Sequence, residues 1–128
     1  MNKRPPWPVR MMMLANFWRQ FSTCLHRQCG AVIYRSGTWQ VLALGYNDTP
    51  QGAVNCGDGG CEPCKESESA SLKIDCRCVH AEMNALMAAA RNGIAVDGAM
   101  IAVDGSYAIC QSCQKHLTQA GVSWGKLE

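Results

Sequence analysis

The side chains able to do chemistry in this chain are His80 and Glu82, two residues apart, and, further along, Cys110 and Cys113, three apart. One imidazole and two thiolates supply three ligands to a zinc ion and leave the fourth tetrahedral position to a water molecule. Zinc lowers the pKa of such a water from 15.7 to about 7, so hydroxide is available at neutral pH, and an unligated carboxylate beside it can carry protons. The four residues therefore specify a hydrolytic metal site in which Glu82 is the general acid–base. Singly, each half is bland: His80 also reads as a helix-start histidine, and Cys110 with Cys113 as a redox pair or half of a structural zinc site. Their order and spacing together point to catalysis.

Those residues need elements to hold them. Met11, Leu14, Trp18 and Phe21 fall at helical spacing within residues 9–24, which predicts a first amphipathic helix. Ala31–Tyr34 and Trp39–Leu44 are apolar runs joined by Arg35-Ser36-Gly37-Thr38, the pattern of a β-hairpin. A second helix is expected over 80–92, with Met83, Leu86, Met87 and Ala90 on one face and Asn92-Gly93 as its stop. His80 and Glu82 then lie in its first turn. Ala99–Val103 reads as a buried strand, Cys110–Ala120 as a helix closed by Gly121, and residues 122–124 as the start of a fourth strand. Cys110 and Cys113 share the N-terminal face of their helix, where the dipole and free N–H groups stabilise thiolates. This order predicts a three-layer α/β/α domain with helices on both faces of a mixed sheet and a short C-terminal part.

Nine cysteines in 128 residues would suggest disulfides in a secreted protein, but their grouping around His80 reads as metal chelation in a reducing compartment. Cys29 sits in an apolar run. Cys24, Cys56, Cys61, Cys64, Cys76 and Cys78 remain, and Cys56, Cys61 and Cys64 punctuate a long polar segment from Asn47 to Ile74, with Cys76 and Cys78 just beyond it. A loop of that length in a compact domain needs something to hold it. The chain is expected to be one domain, 1–128, with a Cys-rich metal-binding insert at about 53–78.

The formal charge of +2 and scattered basic residues argue against a nucleic-acid groove and for a small substrate. No apolar run approaches the 18 residues or so that a membrane span needs, and Met11-Met12-Met13-Leu14-Ala15 is broken up by Arg10, Asn16 and Arg19. A cytoplasmic location is expected.

With its motifs placed, the chain resembles the deoxycytidylate (dCMP) deaminase family within the zinc-dependent cytidine deaminases. The resemblance rests on Ser22-Thr23-Cys24, Gly30-Ala31-Val32-Ile33, Gly45-Tyr46-Asn47-Asp48-Thr49-Pro50-Gln51-Gly52, Asn55-Cys56 and Gly59-Gly60-Cys61. It continues in Cys78-Val79-His80-Ala81-Glu82-Met83-Asn84-Ala85-Leu86, Cys110-Gln111-Ser112-Cys113 and Ala120-Gly121-Val122. It implies a cytidine-deaminase-like fold, catalytic zinc on His80, Cys110 and Cys113, Glu82 as proton shuttle, and substrate contacts from Asn47, Ala81 and Ala108. It also implies a second, structural zinc on Cys24, Cys56 and Cys78, with a fourth ligand from Cys61, Cys64 or Cys76.

Departures are visible too. Ile109 stands where the deaminase signature has proline before its first cysteine. Phe21 stands where many members have arginine, so any 5′-phosphate contact must come from Arg19, His26, Arg27 or the 47–52 loop. The implied reaction is hydrolytic deamination of dCMP to dUMP with release of ammonia, by a homo-oligomer. Two alternatives are a deaminase of cytosine or adenine in single-stranded nucleic acid, with Trp18 and Trp124 as stacking platforms, and a non-catalytic, zinc-stabilised regulatory or interaction subunit. Retention of Glu82, which is not a ligand, argues against the last.

Overall fold

The computed structural model describes residues 3–61, 77–106 and 108–125. Its centre is β1 (Gly30–Tyr34), apolar throughout and buried at every position, as a strand covered on both faces must be. β1 is flanked by β2 (Val41–Tyr46) and β3 (Met100–Asp104), antiparallel to both. Its side chains alternate between two cores: Ala31 and Ile33 join Ala81, Ala85, Ala89 and Leu117, while Val32 and Tyr34 join Met11 and Ala15. The expected fourth strand shortens to one parallel bridge between Ser123 and Met100, which makes the sheet mixed.

α1 (Trp7–Arg19) covers the second core and ends five residues earlier than the expected limit at residue 24. Met11 and Ala15 are its buried residues, whereas Leu14 and Phe21, expected on the inner stripe, are 39% and 48% exposed. Apolar side chains surround this helix, so periodicity alone selects no face. The selection is made at Gly30, where a Cβ would collide with the carbonyl of Ala15, so α1 seats its smallest residue on the strand.

On the opposite face lie α2 (Ala81–Arg91) and α3 (Gln111–Ala120), which completes the three-layer α/β/α arrangement. α2 buries Ala81, Glu82, Ala85 and Ala89 rather than the expected Met83, Leu86, Met87 and Ala90, and Met87 is 50% exposed. Gly45 explains this, because a Cβ there would strike the Ala81 carbonyl and the Ala85 amide. The helix lies directly on the β2 backbone, a spacing that alanine permits and methionine does not. β2 begins at Val41 rather than Trp39, which adopts φ 62° and stacks between Tyr34 and Trp7 at 5.2 and 5.9 Å. α2 stops at Asn92-Gly93 and α3 at Gly121, as their sequences indicate.

Candidate metal centres and active site

The N-termini of α2 and α3 converge. His80 is the N-cap residue of α2, just before its first turn, and Cys110 is the N-cap of α3, accepting the Cys113 amide on its sulfur at 3.5 Å. His80 Nδ1 lies 3.4 Å from the Sγ of Cys110 and 3.4 Å from that of Cys113. Zinc bonds of ~2.0 Å to nitrogen and ~2.3 Å to sulfur place tetrahedral N and S ligands roughly 3.6 Å apart, so the donor set fits the ion. Ile109 packs against the main core, and its carbonyl accepts the Gln114 side-chain amide at 2.7 Å, which steadies the approach to Cys110 without a proline.

Exposure falls across the triad, with His80 exposed, Cys110 intermediate and Cys113 buried, so one side opens to solvent. Glu82 is 5% exposed. Burial first, and then the nearby Glu82 charge and the Cys110 thiol, push the Cys113 thiol far above its ordinary range. A divalent cation reverses that balance, and its binding expels the proton. Helix dipoles from both N-termini add positive potential at the same point. After burial, the Glu82 charge also raises the Cys29 thiol.

A second cluster is made of cysteines alone. Cys24, Cys56 and Cys61 are buried together with Cys78 packed against them. The sulfurs of Cys56, Cys61 and Cys78 lie within 4.8 Å of one another, and those of Cys56 and Cys78 are 3.1 Å apart. A hydrogen bond to Cys24, then burial and Cys56, push the Cys78 thiol sharply up. Thus Cys61 joins the three positions the resemblance singled out; Cys64 and Cys76 lie outside the described residues. Cys56 is presented by a short 3₁₀ turn, Cys56–Asp58, closed by the Gly60 and Asp58 amides on the Asn55 carbonyl, each at 2.9 Å.

Asn47 is buried, with both ends of its amide on backbone: Oδ1 accepts the Cys29 amide and Nδ2 donates to the Arg27 carbonyl, each at 2.8 Å. It therefore fixes the chain entering β1, and one N–H and one lone pair remain for a ligand. Ala81 is fully buried under β2, which leaves its backbone amide as its polar handle. Ala108 is exposed and its carbonyl accepts the Ser106 hydroxyl at 2.8 Å. Arg19, one of the phosphate candidates, is turned to Asp104 at 3.1 Å. Trp18 packs edge-on to Phe21, and Trp124 packs against the main core.

Sequence reading missed Thr23 and Asp48 as parts of the site. The Asp48 carboxylate accepts the Thr23 hydroxyl at 2.6 Å, and the Cys56 amide donates to the Thr23 oxygen at 3.2 Å. Their signal was their place in the Ser22-Thr23-Cys24 and Gly45–Gly52 stretches of the resemblance, which assigned neither of them this contact.

Fold and site together define a domain of the zinc-binding deaminase type. Residues 7–124 match the family described as cytidine and deoxycytidylate deaminase zinc-binding region, and the chain belongs to that family. The deoxycytidylate deaminase of Schizosaccharomyces pombe is 38% identical over 120 residues, which cover 93% of this chain and 36% of that protein. The chain likewise spans 36% of the Saccharomyces cerevisiae deoxycytidylate deaminase, at 36% identity. The deoxycytidylate deaminase of Mycobacterium phage D29 is 30% identical over 124 residues, covering 93% of this chain and 91% of that protein. The crystal structure of the dCMP deaminase from cyanophage S-TIM5 in complex with dCMP and dUMP matches with a TM-score of 0.71 at 28% identity, over 98% of this chain and 88% of that one.

Proposed function

We propose that residues 1–128 act as one zinc-dependent deaminase unit that converts dCMP and water to dUMP and ammonia. The observation that carries this reading is the buried Glu82 carboxylate set beside an open His80, Cys110 and Cys113 triad. The substrate follows from the relatives, several of which are deoxycytidylate deaminases, one with dCMP and dUMP bound.

When bound, zinc supplies an acidified water as nucleophile at neutral pH. Glu82 takes the proton of the attacking water as it adds to C4 of the ring. It hands that proton to N3, then takes the proton of the new C4 hydroxyl and passes it to the departing amine, leaving the C4 carbonyl of the product. The backbone amides at the start of α2, Ala81 among them, and the carbonyl side of the Ala108 loop bind the polar edge of the base. Asn47 offers its remaining N–H to the sugar.

In the same reading a second zinc sits on Cys24, Cys56, Cys61 and Cys78, whose four thiolates form a closed structural site. Self-association is part of it as well, because Val9, Met13, Phe17 and Phe21 are exposed on and just beyond α1 and β2 leaves one sheet edge unpaired. A cytoplasmic setting suits so many reduced thiols, and among the described residues no helix is long and apolar enough to cross a membrane. Ammonia release by the purified protein from dCMP, CMP, deoxycytidine and a cytosine-containing oligonucleotide tests the proposal. dCMP is expected to be the best substrate. Faster turnover of the oligonucleotide would replace this reading with a nucleic-acid deaminase, and no turnover of any, with zinc bound, with a non-catalytic subunit.

A further inference from the structure

His80 supplies the only nitrogen of the open triad, yet its imidazole is exposed and makes no capping hydrogen bond. Its backbone is fixed from the N-terminal side. Two residues earlier is Cys78, a member of the second cluster. Val79, between them, exchanges both backbone hydrogen bonds with Asp48, its N–H donating at 2.7 Å and its carbonyl accepting at 3.2 Å. Asp48 is held by the Thr23 hydroxyl, whose oxygen also accepts the amide of Cys56. Thr23 in turn adjoins Cys24. The Arg77 amide donates to Cys61 Sγ at 3.4 Å, and the Asn84 side chain ties the Val79 carbonyl (3.3 Å) to that of Tyr46 (2.7 Å). Among the described residues, 77–79 are thus tied to Cys61, to Asp48 and through it to Thr23 beside Cys24, and to Asn84 of α2, which also holds the β2 end of the sheet.

We infer that the four-cysteine cluster and the Asp48–Val79 bridge form a clamp that positions His80, so that metal in the closed site holds the open site's imidazole in register with Cys110 and Cys113. This rests on the two-zinc reading. Cys61, Asp48 and Thr23 are positioning residues in it, since they act only through the backbone that carries His80. Two trans peptides separate the Cα atoms of Cys78 and His80 by at most ~7 Å, so displacement of one is passed to the other. A metal joining Cys56 to Cys78, 22 positions apart, also closes a loop whose closure costs chain entropy. The thiolate side needs no such help. Cys110 and Cys113 stand on α3 and are held by its own cap.

The test is metal loading of the whole chain, stripped and refilled with Co²⁺ or Zn²⁺. It uses wild type, Cys61→Ser, Cys61→His and Thr23→Val, with metal content, the visible bands of a Co²⁺ ion on two thiolates and one imidazole, and competition with a chromophoric chelator. Wild type is expected to hold two ions. Cys61→Ser should lose the closed-site ion and weaken the open site by roughly 10- to 100-fold, the scale seen when partners behind a ligand are removed. Cys61→His, which restores a ligand, should recover both sites. Thr23→Val keeps every thiolate and should retain two ions while loosening only the open one several-fold. Open-site affinity within twofold of wild type in Cys61→Ser lacking its closed-site ion overturns the inference. Should Cys61→Ser fail to fold by circular dichroism, Thr23→Val decides, and unchanged open-site affinity there overturns it. One ion per wild-type chain overturns the two-zinc reading instead.

Discussion

The two donor clusters of this molecule use the same sulfur chemistry and differ in everything around it. The His80, Cys110 and Cys113 triad stands at two helix N-termini, grades from exposed to buried, and has a carboxylate beside it. The Cys24, Cys56, Cys61 and Cys78 cluster has three buried members, and among the described residues its candidate metal donors are thiols alone. Three donors with one open side leave room for a reacting molecule, whereas thiols packed against one another in the interior leave none. The comparison assigns chemistry to the first cluster and cohesion to the second, and substitutions can test that division.

The largest expected effect is Glu82→Gln. The change keeps size and hydrogen bonding but removes the proton carrier, so kcat on dCMP should fall by about 10²-fold or more while zinc content stays at the wild-type value. Activity measured together with metal analysis checks it. Undiminished turnover would remove the distinction between the clusters at its source. Next is Cys56→Ser, which attacks the closed cluster. In excess zinc it should cost about 2 kcal/mol or more of stability, roughly 8 °C in Tm for a chain of this size, and spare the specific activity of the folded fraction by comparison. Thermal unfolding with and without a chelator reads this out, and a Tm equal to wild type would show that the cluster holds nothing together.

The two clusters were unequally legible in the sequence. The triad was readable because two ligands sit at i and i+3 on a helix start and the third precedes another helix. Spacing alone therefore forces them to one place once the helices pack. The closed cluster depends on which of Cys61, Cys64 and Cys76 a long segment folds back, and no local periodicity encodes that. The helix faces were misread for a related reason. On α1 apolar residues occur all round, and on α2 the contact face is Ala81, Ala85 and Ala89, whose small size carries little hydrophobic signal. Both faces are chosen by glycines on strands, Gly30 and Gly45, that are distant in sequence. Pattern within one element cannot register a glycine in another.

A smaller effect concerns what enters the open side. Arg19 is engaged by Asp104 and Phe21 carries no charge, so under the proposed function phosphate recognition is expected from Arg27, His26 and the 47–52 loop. A single hydrogen bond to a charged group contributes about 1.5–3 kcal/mol. The expected preference for dCMP over deoxycytidine is therefore at least about tenfold in kcat/KM, or ~1.4 kcal/mol. Equal values on both would mean that the open cluster reads only the nucleoside.

The smallest effect tests whether Cys29 belongs to either cluster. Its thiol is buried and donates to the Gly105 carbonyl at 3.4 Å. Burial, and after it the charge of Glu82, raise it from 9.0 to about 11, against a lowering by Arg27 and Arg19. A raised thiol pKa means that folding favours the protonated form. The corresponding stability is fully present below pH 9.0, where the thiol of the unfolded chain is also protonated, and is lost as pH rises towards about 11. Wild-type stability should therefore decline across that window more steeply than that of Cys29→Ala, as read by denaturant unfolding at pH 8, 9.5 and 11. Below pH 9 the thiol should also resist iodoacetamide, since the thiolate is the nucleophile. The substitution should leave the zinc content of the chain unchanged. A loss of metal in Cys29→Ala would place a seventh sulfur in the clusters and break the division between the open triad and the closed cluster.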